Sequence, residues 1–204
     1  MTITLKKTEE KSCEELVREL DEKEIQSVPI KLQFAGVEDK DVYNITAPFS
    51  DEGEEIIAGR VESRDSEHSE VYFFVKKNDK WKPKEDLPTF TLQDPFITFI
   101  NNDLILGGVE ISPHLDNPGA LTWRTVFYRG KSINELKPFF TGPNGMKDLR
   151  LVELLSGEVG ILTRPQGDKG GQGKIGFNKV KKLEDLTIEV IDDTPLLEGA
   201  ICSR

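Results

Sequence analysis

A chain of 204 residues with 36% hydrophobic side chains is long enough to bury the core of one or two domains. Its 37 acidic and 27 basic side chains leave a net charge of −10, a field that repels a phosphate backbone and excludes nucleic acid as the main partner. Cys13 and Cys202 form no close-spaced pair, and His68 and His114 stand in no metal-ligand spacing, so neither a metal nor another cofactor is expected. The first ten residues are charged and lack the apolar run of a secretory signal, and no stretch is long enough to cross a bilayer. The expectation is a soluble cytoplasmic protein without a membrane partner.

Residues 10–24 carry the one clear helical pattern. Ser12 followed by Glu15 is a capping box, and Cys13, Leu16, Val17 and Leu20 fall at i, i+3, i+4 and i+7 as one apolar stripe. Residues 1–27 are therefore read as an N-terminal helical extension, packed on the outside of a body formed by residues 28–204; partner binding is the other use of such a stripe. That body is strand-rich. Strands are predicted over 28–34, 41–46, 56–62 and 70–76, with an acidic turn at 50–54. Residues 96–100 and 104–109 flank Asn101-Asn102-Asp103, a tight hairpin turn. After a loop holding Pro113 and Pro118 come strands at 121–128, 149–154, 159–163 and 174–178, and residues 180–190 carry an outer strand with a helical turn at 183–186.

Within this pattern one unit recurs three times. Ile56-Ile57-Ala58-Gly59-Arg60-Val61-Glu62 returns as Leu104-Ile105-Leu106-Gly107-Gly108-Val109-Glu110 and more loosely as Val159-Gly160-Ile161-Leu162-Thr163-Arg164-Pro165. Glu62 maps to Glu110 and Glu110 to Pro165, intervals of 48 and 55 residues. Each copy is followed by an apolar strand and preceded by one that opens on aspartate. A repeat of this length built of several strands predicts an all-β fold, a β-propeller with about three blades and one short N-terminal helix. Complete propellers have four to eight blades, so the chain is a fragment, closes its open edge by homo-oligomerisation, or has more blades than the repeat reveals.

In a propeller the innermost strands face one axis, so residues distant in sequence converge there. The spacing places Asp41, Asp94 and Asp148 at one equivalent position, where their carboxyl groups would converge. The ordinary alternative is that each caps a turn. Glu62 and Glu110 share a second position, suited to sugar hydroxyls or to ion pairs that hold a blade. Arg60, Arg124, Lys147, Arg150 and Arg164 are basic groups within apolar or motif segments, where arginine needs a carboxylate or a bound anion. Tyr43, Trp123, Phe127 and Tyr128 are read as core rather than sugar platforms. Gly170-Gly171-Gln172-Gly173-Lys174-Ile175 lacks the Ser or Thr and the helix of a phosphate loop and is read as a flexible connection.

Gly59-Arg60-Val61-Glu62, Gln93-Asp94-Pro95-Phe96, Met146-Lys147-Asp148-Leu149-Arg150-Leu151 and Arg164-Pro165-Gln166-Gly167 resemble a bacterial family, domain-of-unknown-function family 1861, placed with the five-bladed propeller glycosidases. The resemblance covers about residues 28–204. Family members continue with further blades, which implies that Arg204 is a truncation point. More distantly the motifs resemble those of β-mannoside phosphorylases and hydrolases. That likeness implies Asp94 as general acid, with Lys147 and Arg164 at the positions that hold inorganic phosphate. Gln93, Phe96 and Met146 depart from the glutamate, arginine and histidine of those motifs.

Two functions from different classes follow. One is an inverting glycoside hydrolase or phosphorylase acting on β-linked, mannose-containing oligosaccharides. The other is a sugar-binding or degenerate propeller without enzymatic activity.

Overall fold

The computed structural model describes residues 11–23, 30–66, 68–114, 117, 119–171 and 173–201. The chain divides into two compact units, Met1–Lys31 and Leu32–Arg204. In the first, helix α1 (Cys13–Asp21) starts where the capping box predicts. The Ser12 hydroxyl accepts from the Glu15 amide at 3.2 Å, and the Glu15 carboxylate accepts from the Ser12 amide at 2.7 Å. Leu16, Val17 and Leu20 of its apolar stripe are exposed.

The second unit is an all-β propeller arrangement of three antiparallel sheets. Blade 1 contains β1 (Lys40–Tyr43), β2 (Phe49–Asp51), β3 (Glu54–Ser63), β4 (Ser69–Lys77) and β5 (Lys80–Pro83), in the order β1-β3-β4-β5, with β2 continuing the inner edge along β3. Blade 2 contains β6 (Gln93–Ile100), β7 (Asp103–Pro113), β8 (Leu121–Gly130) and β9 (Lys137–Thr141) in sequence order. Blade 3 repeats this with β10 (Arg150–Glu153), β11 (Val159–Thr163), β12 (Lys174–Val180) and β13 (Leu196–Ile201). The repeated sequence unit is thus the second strand of each blade.

Those second strands read as continuous apolar runs because each is buried on both faces. Ile56, Ala58, Val71 and Phe73 of blade 1 pack with Leu104, Leu106 and Val126 of blade 2. Ile100, Ile105 and Phe127 of blade 2 pack with Leu149, Leu151, Val159 and Ile161 of blade 3. Burial of each Val, Leu, Ile or Phe among them contributes about 1.5–3 kcal/mol. The far face of blade 1, with Ile57, Val61 and Phe74, is covered by Trp81, Val37 and Phe34.

Polar ties cross the same seams. Asp51 of blade 1 is buried and accepts from the Ile133 amide at 3.2 Å; burial pushes its carboxyl up, and the amide bond opposes that. Glu153 of blade 3 accepts from the Asn101 amide in the blade 2 hairpin at 2.7 Å. Arg129 of blade 2 donates to Glu184 of blade 3 at 2.7 Å.

Several predicted elements differ. No strand forms over residues 30–33; Phe34 makes a single bridge to Trp81, and residues 28–29 of that prediction lie outside the described residues. Residues 49–51 form β2, which confines the acidic turn to Glu52 and Gly53. Residues 180–190 do not carry the outer strand. Leu183–Asp185 is a 3-10 turn, and Thr187 then caps helix α3 (Ile188–Asp192) by accepting from the Val190 amide at 3.3 Å. The outer strand is β13, nearer the chain's end. The glycine-rich connection begins as the four-residue helix α2 (Gly167–Gly170), and its Gln172 lies outside the described residues.

Candidate active site

β6 lies between β3 of blade 1 and β10 of blade 3, so three blades present side chains to one region. Register fixes which positions correspond. Phe96 pairs with Gly107 and Arg150 with Leu162, equivalent places in the second strands. The Phe96 ring occupies the space above Gly107, where a Cβ would fall 1.9 Å from it. The Arg150 guanidinium in turn stacks on Phe96, 4.3 Å from the ring centre. Asp94 and Asp148 each stand two residues before these contacts. Both adopt left-handed backbone, with φ of 49° and 61°, which asparagine and aspartate tolerate best after glycine.

Around Asp94 the side chains form a network centred on Arg60, which is only 10% exposed. Arg60 Nη1 donates to Asp94 Oδ1 at 3.1 Å, Nη2 to Glu62 Oε2 at 2.5 Å, and Nε to Ser69 Oγ at 2.7 Å. The Tyr43 hydroxyl donates to Glu62 Oε1 at 2.6 Å while its ring lies 4.8 Å beneath the guanidinium. Ser69 also donates to Glu62, and Asn44 Nδ2 to Asp94 Oδ1. Burial works against the Arg60 charge, but Glu62 and Asp94 outweigh it and lift its pKa. Burial likewise pushes Glu62 up, yet the donors Ser69, Tyr43 and Arg60 hold it below the usual carboxylate range. The Tyr43 phenol is pushed up to about 12, first by burial and then by its bond to Glu62. Gly108 stands in blade 2 where blade 1 has Arg60, so the guanidinium is a feature of blade 1 alone.

Around Asp148 the balance reverses. Arg164 Nη1 donates to its carboxylate, and Arg150 Nη2 lies 4.0 Å away. Arg164 Nε is buried and finds no acceptor among the described residues. Lys147 lies over the Trp123 ring at 5.7 Å, and the indole donates to the Gly145 carbonyl at 3.0 Å. Met146 is buried in the core between blades 2 and 3, which gives it a packing role.

The equivalence predicted for three aspartates holds for two. Asp41 pairs in register with Glu62, one strand position from Val42, whereas Gln93, the partner of Val109, matches Val42. Asp41 thus corresponds to Leu92, not Asp94. Its side chain is 54% exposed and accepts from Arg64 at 3.1 Å. Blade 1's left-handed residue is instead Asn44, with φ of 48°. Glu110 accepts from Arg124 at 2.7 Å in a half-exposed pair directly across β7 and β8. Asn44 and Ser69 were missed by the motif reading; Asn between a strand and Pro48 is the one signal that marked a left-handed position.

Residues 18–204 match the family described as "Protein of unknown function (DUF1861)". The chain belongs to that family. No curated protein matches it. Among solved structures, it is similar to MPT-4, a mannose phosphorylase from Leishmania mexicana in complex with phosphate ion, at 34% identity and a TM-score of 0.77 over 90% of this chain and 56% of that one. It is similar to MPT-1, a GDP-Man-dependent mannosyltransferase from the same organism, at 30% identity and a TM-score of 0.79 over 92% and 58%. A hypothetical protein from Leishmania major shares 34% identity over 90% of this chain and 58% of that one, with a TM-score of 0.74. The chain therefore spans little more than half the length of these structures. No helix among the described residues is long and apolar enough to cross a membrane.

Proposed function

We propose that the chain belongs to a carbohydrate-active propeller enzyme that transfers a mannosyl group between a β-linked oligosaccharide and inorganic phosphate. One observation carries this reading over hydrolysis: Asp94 and Asp148 occupy corresponding positions but sit among opposite charge balances. Inverting hydrolysis needs a second carboxylate free to activate water. Asp148 is engaged by Arg164 and Arg150, with Lys147 its neighbour in sequence. Arg164 Nε, buried and without an acceptor among the described residues, suits an anion such as phosphate. Phosphate is already anionic and attacks the anomeric carbon without a protein base. The glycosidic C–O bond breaks as the phosphate oxygen bonds to carbon, and Asp94 delivers its proton to the departing oxygen. In the reverse direction Asp94 recovers that proton from the acceptor hydroxyl. The likeness to a mannose phosphorylase solved with phosphate supports the substrate class.

The test is an assay of the purified chain on β-mannosyl oligosaccharides with and without inorganic phosphate. Mannose 1-phosphate released only when phosphate is present supports the reading; free mannose released equally without phosphate overturns it. The second reading, sugar binding without turnover, draws on Gln93, Phe96 and Met146, which depart from the glutamate, arginine and histidine of the β-mannoside phosphorylase motifs. Calorimetric binding of the oligosaccharide with no product favours it.

A further inference from the structure

Asp94 is held in a way that selects one of its two oxygens, and this step rests on the reading of Asp94 as proton donor. Both donors that reach the carboxylate, Asn44 Nδ2 and Arg60 Nη1, end on Oδ1. Among the described residues no donor reaches Oδ2. A proton on Oδ1 would have to displace one of two N–H groups that can only donate. A proton that Asp94 delivers would therefore leave from Oδ2, the oxygen left for a substrate.

Arg60 alone does not fix the plane of the carboxyl group, because one hydrogen bond leaves it free to turn. Asn44 supplies the second point. It comes from blade 1, Asp94 from blade 2, and both hold left-handed backbone, φ 48° and 49°. Left-handed geometry at a residue other than glycine persists where the surroundings enforce it and recurs at functional sites. The amide is also neutral: it orients the carboxyl without adding a second positive charge beside Arg60. We propose that Asn44 is a positioning residue, clamping Asp94 across the seam between blades 1 and 2 so that Oδ2 faces the glycosidic oxygen.

Asn44→Gly keeps the left-handed backbone and removes the amide. In the purified chain the expected result is a fall in kcat for phosphorolysis of about ten- to a hundred-fold, with KM for the oligosaccharide within about twofold of the parent. A crystal structure of the variant is expected to show Asp94 in a second rotamer. Asn44→Asp, which keeps the side-chain shape and replaces a donor with an acceptor, is expected to lower kcat in the same way, and it serves if the glycine variant does not fold. Unchanged kcat, a rise in KM without loss of kcat, or Asp94 fixed in its parental rotamer would each overturn the clamp. A parent chain with no turnover would remove the functional reading instead, and the Asp94 rotamer in the variant then decides the clamp alone.

Discussion

Two clusters flank β6, built from the same residue types in opposite proportions. On the blade 1 side, Arg60 serves two carboxylates, Glu62 and Asp94, while the Ser69 hydroxyl accepts from Arg60 and the Tyr43 hydroxyl donates to Glu62. On the blade 3 side, Asp148 accepts from Arg164 and lies 4.0 Å from Arg150, and Arg164 Nε finds no acceptor among the described residues. The difference teaches how equivalent backbone positions in a repeated fold acquire different chemistry. Register places Asp94 and Asp148 alike, and the neighbours supplied by the adjoining strands decide which cations each meets among the described residues: Arg60 for Asp94, Arg164 and Arg150 for Asp148. In the proposed reaction the acid-rich side handles the departing sugar oxygen and the cation-rich side handles the anion.

The sharpest way to break this contrast is to remove the available acid. Asp94→Asn preserves an acceptor for Arg60 and abolishes the proton. Phosphorolysis is expected to fall by about 10²–10⁴-fold in kcat, with the melting temperature close to the parent's. Full activity in that variant would transfer the acid role elsewhere and erase the asymmetry. The reciprocal change, Arg164→Ala, is expected to raise KM for phosphate by about tenfold or more while leaving KM for the oligosaccharide near its parental value. Equal effects on both constants would mean that the cationic cluster holds the blade rather than the anion.

How far the sequence discloses this contrast depends on the element. The second strands are legible because burial on both faces demands apolar runs such as Ile56-Ile57-Ala58, and the helix start is legible because Ser12 and Glu15 satisfy each other locally. Asp94 and Asp148 are legible as a pair through motif spacing. Asp41 misleads because blade 1 bends its inner edge between β1 and β2, so an aspartate that opens a strand there sits two positions too early. Asn44 is hidden by the same bend: its importance lies in a contact to another blade, which no local pattern encodes. The last outer strand is displaced because Thr187 caps a helix in front of it, a local signal that the alternation of apolar residues conceals. The charge balance around Asp148 depends on Arg164 returning from β11, a tertiary fact.

A smaller effect sharpens the acid-rich side. Tyr43 is neutral and donates to Glu62, and its pKa in the fold is raised from 10.0 to about 12. A raised value means that its stabilisation is fully present below the ordinary pKa and is lost as pH climbs through about 12. Tyr43→Phe is therefore expected to cost about 1–2 kcal/mol at pH 8 by urea denaturation, and the gap to the parent is expected to narrow above pH 10. No gap at pH 8 would show that the ring's packing beneath Arg60, which phenylalanine keeps, and not the hydroxyl supplies the stability.

The smallest expected effect concerns the aspartate that register separates from the other two. Asp41 and Arg64 form a pair at the solvent boundary, with side chains 54% and 64% exposed. Water screens such a pair and side-chain ordering offsets much of its attraction, so Asp41→Asn is expected to shift stability by no more than about 0.5 kcal/mol. Its kcat and both KM values are expected to match the parent's, because Asp41 faces Arg64 and none of the groups that hold Asp94. The comparison with Asp94→Asn then becomes a direct test of register as the source of function. Two aspartates that each open a strand would differ by orders of magnitude in consequence, for the sole reason that one lies beside Arg60 and Asn44 and the other at a rim. Loss of turnover in Asp41→Asn would show that the substrate reaches that rim and that the reacting groups extend beyond the two clusters beside β6.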